Sequence, residues 1–153
     1  MNTKDVKILA CLRQNGRMPI SKLSKKTGLP VSTIFDRLRS RNCIERHVAL
    51  LDFGSLGFST KAIVLVRAPK ETKDALHKYL SMHFHINNLC RVNNGYDYCF
   101  ECVFKTINEL ENFLESLEEK FDIKTRTAFY IINEIRREAF LSDPNTAELV
   151  LNE

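Results

Sequence analysis

The apolar residues of this chain change period near Ile44, and that change limits the fold more than any other feature. Before it they recur every three or four positions. After it, alternating or β-branched runs are interleaved with helical stretches. A chain written this way builds an all-helical segment first and a mixed sheet-and-helix segment second, which makes it an α+β protein.

In the first segment, Thr3 caps a helix starting near Lys4, with Val6, Ile8, Leu9 and Leu12 on its apolar side and Asn15-Gly16 as its stop. A second helix, Ile20 to Lys26, buries Ile20 and Leu23 and ends at Thr27-Gly28. In the third, Val31, Ile34, Phe35 and Leu38 fall at i, i+3, i+4 and i+7, a full apolar stripe. Thr33, Asp36, Arg37 and Ser40 project away from that stripe, and Ser32 and Arg39 flank it.

Charge is uneven along the chain. Residues 1–47 hold eleven Lys and Arg against three Asp and Glu, a net +8, whereas the remainder holds twelve against sixteen, a net −4. Three short helices, a glycine in the turn between the second and third, and this basic balance describe a helix-turn-helix. Such a helix presents short polar groups to base edges while basic groups hold phosphates. Ser32, Thr33 and Asp36 are therefore assigned to base edges, and Arg37, Arg39 and Arg41 to phosphates. Arg17, Lys22, Lys25 and Lys26 contact the backbone from the second helix and the turn before it. The bland alternative is a three-helix bundle with a solvated basic face, and it leaves the charge imbalance unexplained. Double-stranded DNA is the expected partner.

The second segment reads as a strand at Arg46 to Asp52, a turn or hinge at Phe53 to Ser59, and a strand at Lys61 to Pro69. A helix over Glu71 to Phe84 follows, then strands at Ile86 to Val92 and Tyr96 to Lys105 across an Asn-Asn-Gly turn. Thr106 to Glu109 is a capping box opening a helix striped by Leu110, Phe113, Leu114, Leu117 and Phe121, and Ile123 to Ile135 is a last long strand. The order strand-helix-strand-strand-helix-strand is that of a ferredoxin-like βαββαβ unit with an antiparallel sheet. Two helices cover one side of such a sheet, so the other side demands a partner, and a second copy of the chain supplies it. A homodimer also gives two recognition helices matched to half-sites about 34 Å apart. The expected division is 1–45 for DNA binding, 46–59 as linking strand and hinge, 60–137 as the βαββαβ domain, and 138–153 as an extension in which "DPNTAELVL" forms a short docking helix or a loose tail.

Five cysteines without a secretory signal point to a reduced cytoplasm, and no apolar run is long enough to span a membrane. Cys99 and Cys102 form a Cys-x-x-Cys inside a strand, where an odd spacing sends them to opposite faces, unsuited to one metal ion or a redox couple. His83-Phe84-His85 lies at a helix end and reads as a cap and surface pair. No catalytic arrangement, metal site or cofactor motif is found, so no enzyme activity and no cofactor are expected.

The chain resembles the Lrp/AsnC family of bacterial and archaeal transcription regulators. The resemblance rests on "DVKIL" in the first helix, "NGR" after it, "GLPVSTIFDRLR" at the recognition helix, "ALLDFGSLGF" at the hinge, "GYDY" at the turn and strand, and "KTRTAF" in the last strand. It implies dimers that assemble into tetramers or octamers and an amino-acid or related effector bound between dimers. By the same resemblance the effector-binding positions are Asn94, Gly95, Asp97, Thr125 and Thr127. Three departures stand out: the recognition helix ends early at "RNC", Asn94 stands where the family has glycine, and the chain continues past the family core. Sirohaem decarboxylases resemble this family in domain order. That alternative, a tetrapyrrole enzyme, would use His47 or His83 and His85.

Overall fold

The computed structural model describes residues 3–40, 43–147 and 149. It divides the chain into two compact units, Met1–Leu50 with Ile135–Glu153, and Leu51–Glu134.

The first unit is built on α1 (Thr3–Gln14), α2 (Ile20–Thr27) and α3 (Val31–Arg39). Ile8 and Cys11 of α1, Met18, Leu23 of α2, Leu29 and Ile34 of α3 make its core, with Leu12, Ile20 and Leu38 packed at the edge. A second side of α1 is also used. Val6 and Ala10 are buried against Ala147, with Leu141 alongside, and Arg13 Nη2 reaches Glu138 Oε2 at 2.9 Å. Within the "DPNTAELVL" stretch Ala147 is thus docked on α1, and positions 148, 150 and 151 lie outside the described residues. The single apolar side expected for α1 is divided, with Ile8 in the three-helix core and Val6 against Ala147.

The stripe expected on α3 is only half used. Ile34 is fully buried and Leu38 is partly so, but Val31 and Phe35 are 50% and 53% exposed. Two short helices offer too little surface to cover a stripe four residues wide, so only its Ile34 edge meets the core.

In the second unit, β1 (Thr60–Arg67), α4 (Lys73–Met82), β2 (Ile86–Arg91), β3 (Tyr98–Phe104), α5 (Ile107–Phe121) and β4 (Thr125–Tyr130) follow in that order. The sheet runs β2-β3-β1-β4 with every pair antiparallel, the arrangement of a ferredoxin-like unit. Alternation sorts the strands. Ala62, Val64 and Val66 of β1 and Tyr98, Phe100, Cys102 and Phe104 of β3 face Leu76 and Leu80 of α4 and Leu110, Phe113, Leu114 and Leu117 of α5. Fully burying one such leucine is worth about 1.5–3 kcal/mol. The α5 cap forms at Thr106, whose Oγ1 accepts from Glu109 N–H at 3.2 Å, while Glu109 Oε2 accepts from Lys105 N–H rather than from Thr106.

Two sequence expectations fail here. Arg46–Asp52 forms no strand: a strand needs a continuous ladder of paired N–H and C=O groups, and this stretch is not part of one. Val48, Leu50 and Leu51 of that stretch are half or more exposed. The last strand stops at Tyr130, the partner of Ala62, rather than continuing to Ile135. Past that pair one more bond, Ile131 N–H to Lys61 O at 2.8 Å, continues along β1, and Ile132 and Ile135 stand almost wholly in solvent. The alternation expected at the Cys-x-x-Cys does hold. Cys102 is buried in the core, and burial pushes its thiol up to about 12, while Cys99 lies opposite Cys90 and Leu65 on the face without helices.

Candidate nucleic-acid interface

The turn between α2 and α3 is set by one residue. Gly28 takes φ +69°, a left-handed conformation open to glycine, and its N–H closes α2 on Ser24 O at 2.9 Å. Ser24 Oγ then donates to Leu29 O at 2.6 Å, tying the end of α2 to the start of the next turn. Pro30 precedes α3 and its carbonyl accepts from Ile34 N–H, so α3 starts without a side-chain cap.

With the buried side of α3 fixed by Ile34, the helical spacing of 100° sets what faces out. Ser32, Phe35, Asp36 and Arg39 are exposed and fall within one 100° arc, with Val31 at its edge. Lys22, Lys25 and Lys26 of α2, at i, i+3 and i+4, are exposed together. Arg17 precedes α2, its backbone N–H held by Asn15 Oδ1 at 3.0 Å and its side chain exposed.

Not every expected contact lies on that arc. Thr33 and Arg37 turn toward the flank and are partly covered. The Arg37 guanidinium is paired with Asp5 of α1, a carboxylate buried to 3% exposure. A buried carboxylate is costly without a cation, so the pair fixes α3 to α1. Arg41 lies outside the described residues. Sequence reading missed the role of Asp5, since its partner is 32 residues away and nothing local marks the pairing.

In the second unit the five positions expected to bind an effector lie at one end of the sheet. Asn94 (φ +58°) and Gly95 (φ +87°) form the left-handed turn that the substitution of Asn for Gly had left open. Asp97 N–H bonds Val66 O at 2.9 Å, and its carboxylate takes Lys73 Nζ at 2.6 Å and Ala68 N–H at 3.0 Å. Burial pushes Asp97 up, but Lys73 and the Ala68 N–H outweigh it and hold the group below the ordinary aspartate range. Thr125 pairs with Arg67 and Thr127 with Leu65, and Thr127 Oγ1 meets Tyr96 Oη at 2.8 Å. Lys73 and Tyr96 were not singled out from sequence. Their only signal is that each must answer a polar neighbour.

Two of the three histidines of the enzyme alternative, His83 and His85, are engaged in packing. His85 Nδ1 meets Val103 O at 2.6 Å and its ring stacks on Phe104 with centroids 4.0 Å apart. His83 lies 4.6 Å from the Phe113 ring, and burial, with the His85 charge, pushes its pKa down. His47 is exposed in the first unit. No group of three or more metal-ligating side chains occurs among the described residues. No helix among them is long and apolar enough to cross a membrane.

Residues 1–40 match a family of winged helix-turn-helix DNA-binding domains. Over 114 residues the chain is 32% identical to the HTH-type transcriptional regulator FL11 of Pyrococcus horikoshii, a stretch covering 72% of this chain and 76% of that one. Its fold is similar to a transcriptional regulator of Neisseria meningitidis solved in complex with L-Met, at a TM-score of 0.82 and 20% identity over 90% of this chain and 93% of that one. It is also similar to an AsnC family transcriptional regulator from Agrobacterium tumefaciens, at a TM-score of 0.79 and 22% identity over 90% and 94% of the two chains.

Proposed function

Because the chain belongs to the Lrp/AsnC family of helix-turn-helix transcriptional regulators, we propose that it reads specific double-stranded sites as a homodimer, with an amino acid adjusting its assembly. The observation that carries this reading is the outer arc of α3, where Ser32, Asp36 and Arg39 stand exposed on a unit whose first 47 residues are net +8. Ser32 and Asp36 face base edges, with Thr33 at the margin. Arg39, Arg17, Lys22, Lys25 and Lys26 take phosphates, joined by Arg41. Arg37 serves through Asp5, setting the angle of α3 rather than holding a phosphate itself.

Dimerisation is the second part of the proposal. Ile63 and Leu65 of β1, Phe129 of β4 and Val103 and Cys99 of β3 lie on the sheet face without helices, and a second copy of that face covers them. Residues 1–45 bind DNA, 46–59 link, 60–137 assemble and sense, and 138–153 form an extension whose Glu138 and Ala147 brace α1. Larger species, tetramers or octamers, form from these dimers in the cytoplasm. The effector, an amino acid as in the L-Met complex of the Neisseria relative, sits by the Asn94-Gly95 turn that Asp97 braces, with Thr125 and Thr127 beside it.

The test measures mass in solution and selects bound sequences from random duplexes, with and without each amino acid. A dimer or a multiple of it, a selected motif with two half-sites, and a shift in mass or affinity with one amino acid are the expected results. Leu65→Glu should yield monomers that bind the motif weakly. A wild-type monomer, or a selection that returns no motif, rejects the proposal.

A further inference from the structure

We infer that Phe35 reads the methyl group of a thymine in the major groove, which deepens the DNA-binding reading of α3 and rests on it. The ring is 53% exposed although it belongs to the most apolar part of the helix, and it stands outside the core cluster in which Ile34 is buried and Leu38 packs at the edge. It therefore adds little to the stability of its own unit. On the helical wheel it stands between Val31 on one side and Arg39, Ser32 and Asp36 on the other, inside the arc assigned to DNA.

The surroundings select the occupant. Val31 and Phe35 are two side chains, far short of the roughly 800 Å² per partner of a stable protein interface. Hydroxyl, carboxylate and guanidinium groups ring the patch, and Lys22, Lys25 and Lys26 are exposed on the preceding helix. A phosphate-lined groove meets those charges. The apolar feature that a major groove presents at base level is the thymine C5-methyl, for which a phenylalanine is a suitable contact. Ser32 and Asp36, three positions before and one after, then bond the edges of adjacent base pairs. The outcome is a site in which one thymine per half-site is chosen by shape and greasiness rather than by hydrogen bonds.

The experiment uses the full chain and its selected duplex, with each thymine replaced in turn by deoxyuridine, which removes the methyl and nothing else. Binding is followed by fluorescence anisotropy. The wild type should lose about fourfold in affinity at one thymine of each half-site, the worth of one buried methyl-sized group. Phe35→Ala and Phe35→Gln should bind more weakly on the thymine duplex and no longer distinguish it from the uracil duplex, while Arg39→Ala keeps the distinction. Thermal unfolding of the Phe35 variants should match wild type, since the ring is half in solvent. Indifference of the wild type to every replacement overturns the inference while leaving DNA binding intact, as does a Phe35→Ala variant that keeps the penalty. A changed mass in solution with unchanged thymine discrimination assigns Phe35 to self-association and overturns it as well. A wild type that binds no duplex at low salt overturns the DNA reading and this inference together.

Discussion

The two units treat their polar groups in opposite ways. In the Leu51–Glu134 unit, side chains that carry charge are spent inward: Asp97 on Lys73 and the Ala68 N–H, Arg126 on Glu118 at 2.8 Å and Glu111 at 3.4 Å, Lys61 on Glu134 at 2.8 Å. Tyr130 hydrogen-bonds Glu111, and burial followed by that carboxylate pushes its hydroxyl up to about 12. In the helical unit, Lys22, Lys25, Lys26 and Arg39 point outward, while Arg37 pairs inward with the buried Asp5 and Arg13 pairs with Glu138 at the surface. The helical unit leaves cations facing water, where the proposal puts phosphates, and the sheet unit leaves Ile63, Leu65 and Phe129 on its face without helices, where the proposal puts a second copy.

The largest test of that contrast is salt. If the outward cations meet phosphates, DNA affinity should fall by about 10³-fold or more between 50 and 200 mM salt, for six or more phosphate contacts. Each of Lys22→Ala, Lys25→Ala, Lys26→Ala and Arg39→Ala should flatten the slope of log K against log salt by about 0.9. A slope unchanged in all four would break the comparison. Next comes the sheet unit's core. Leu114→Ala should cost about 2–5 kcal/mol in denaturant unfolding, because the side chain is fully buried between helix and sheet.

Arg37 sharpens the contrast inside the helical unit. Arg37→Ala removes the Arg37 cation from the buried Asp5 and should destabilise by about 1–3 kcal/mol, measured by thermal unfolding. Arg39→Ala, with an exposed side chain, should leave the midpoint within about 0.5 kcal/mol of wild type. The smallest effect is the acid response of the sheet unit. His83 has its pKa lowered in the folded state, so its contribution is present above the unfolded value near 6.5 and is lost as pH falls through it. Asp97 behaves the same way at lower pH, with stability lost as pH falls below the ordinary aspartate range near 4. Midpoints should drop first between about pH 7 and 5.5, a step His83→Phe removes, and again below about pH 4, a step Asp97→Asn removes.

Much of the sheet unit was legible because local signals and burial agree there. The β1 alternation, the Thr106 cap and the five-residue stripe of α5 each name a structure that the core then uses. Asn94-Gly95 was legible for a different reason, since a left-handed pair of residues is a local matter. The strand expected at Arg46–Asp52 was illegible as a coil because propensity says nothing about whether a neighbour is at hand. On α3, periodicity identified the apolar residues but not how much surface opposes them, and so Phe35 was assigned to the core. Of the residues expected to face DNA, the exposure of the lysines and Arg39 follows from charge and spacing. The turning aside of Arg37 does not, since it comes from a carboxylate on another helix.

The seating of Ala147 on Val6 and Ala10 also has a consequence for biosynthesis. The segment that closes the flank of the first helix is translated after the entire sheet unit, so on the ribosome α1 waits with a bare Val6–Ala10 strip through most of elongation. During that interval the nascent chain shows chaperones a greasy helix flank that the finished protein never displays.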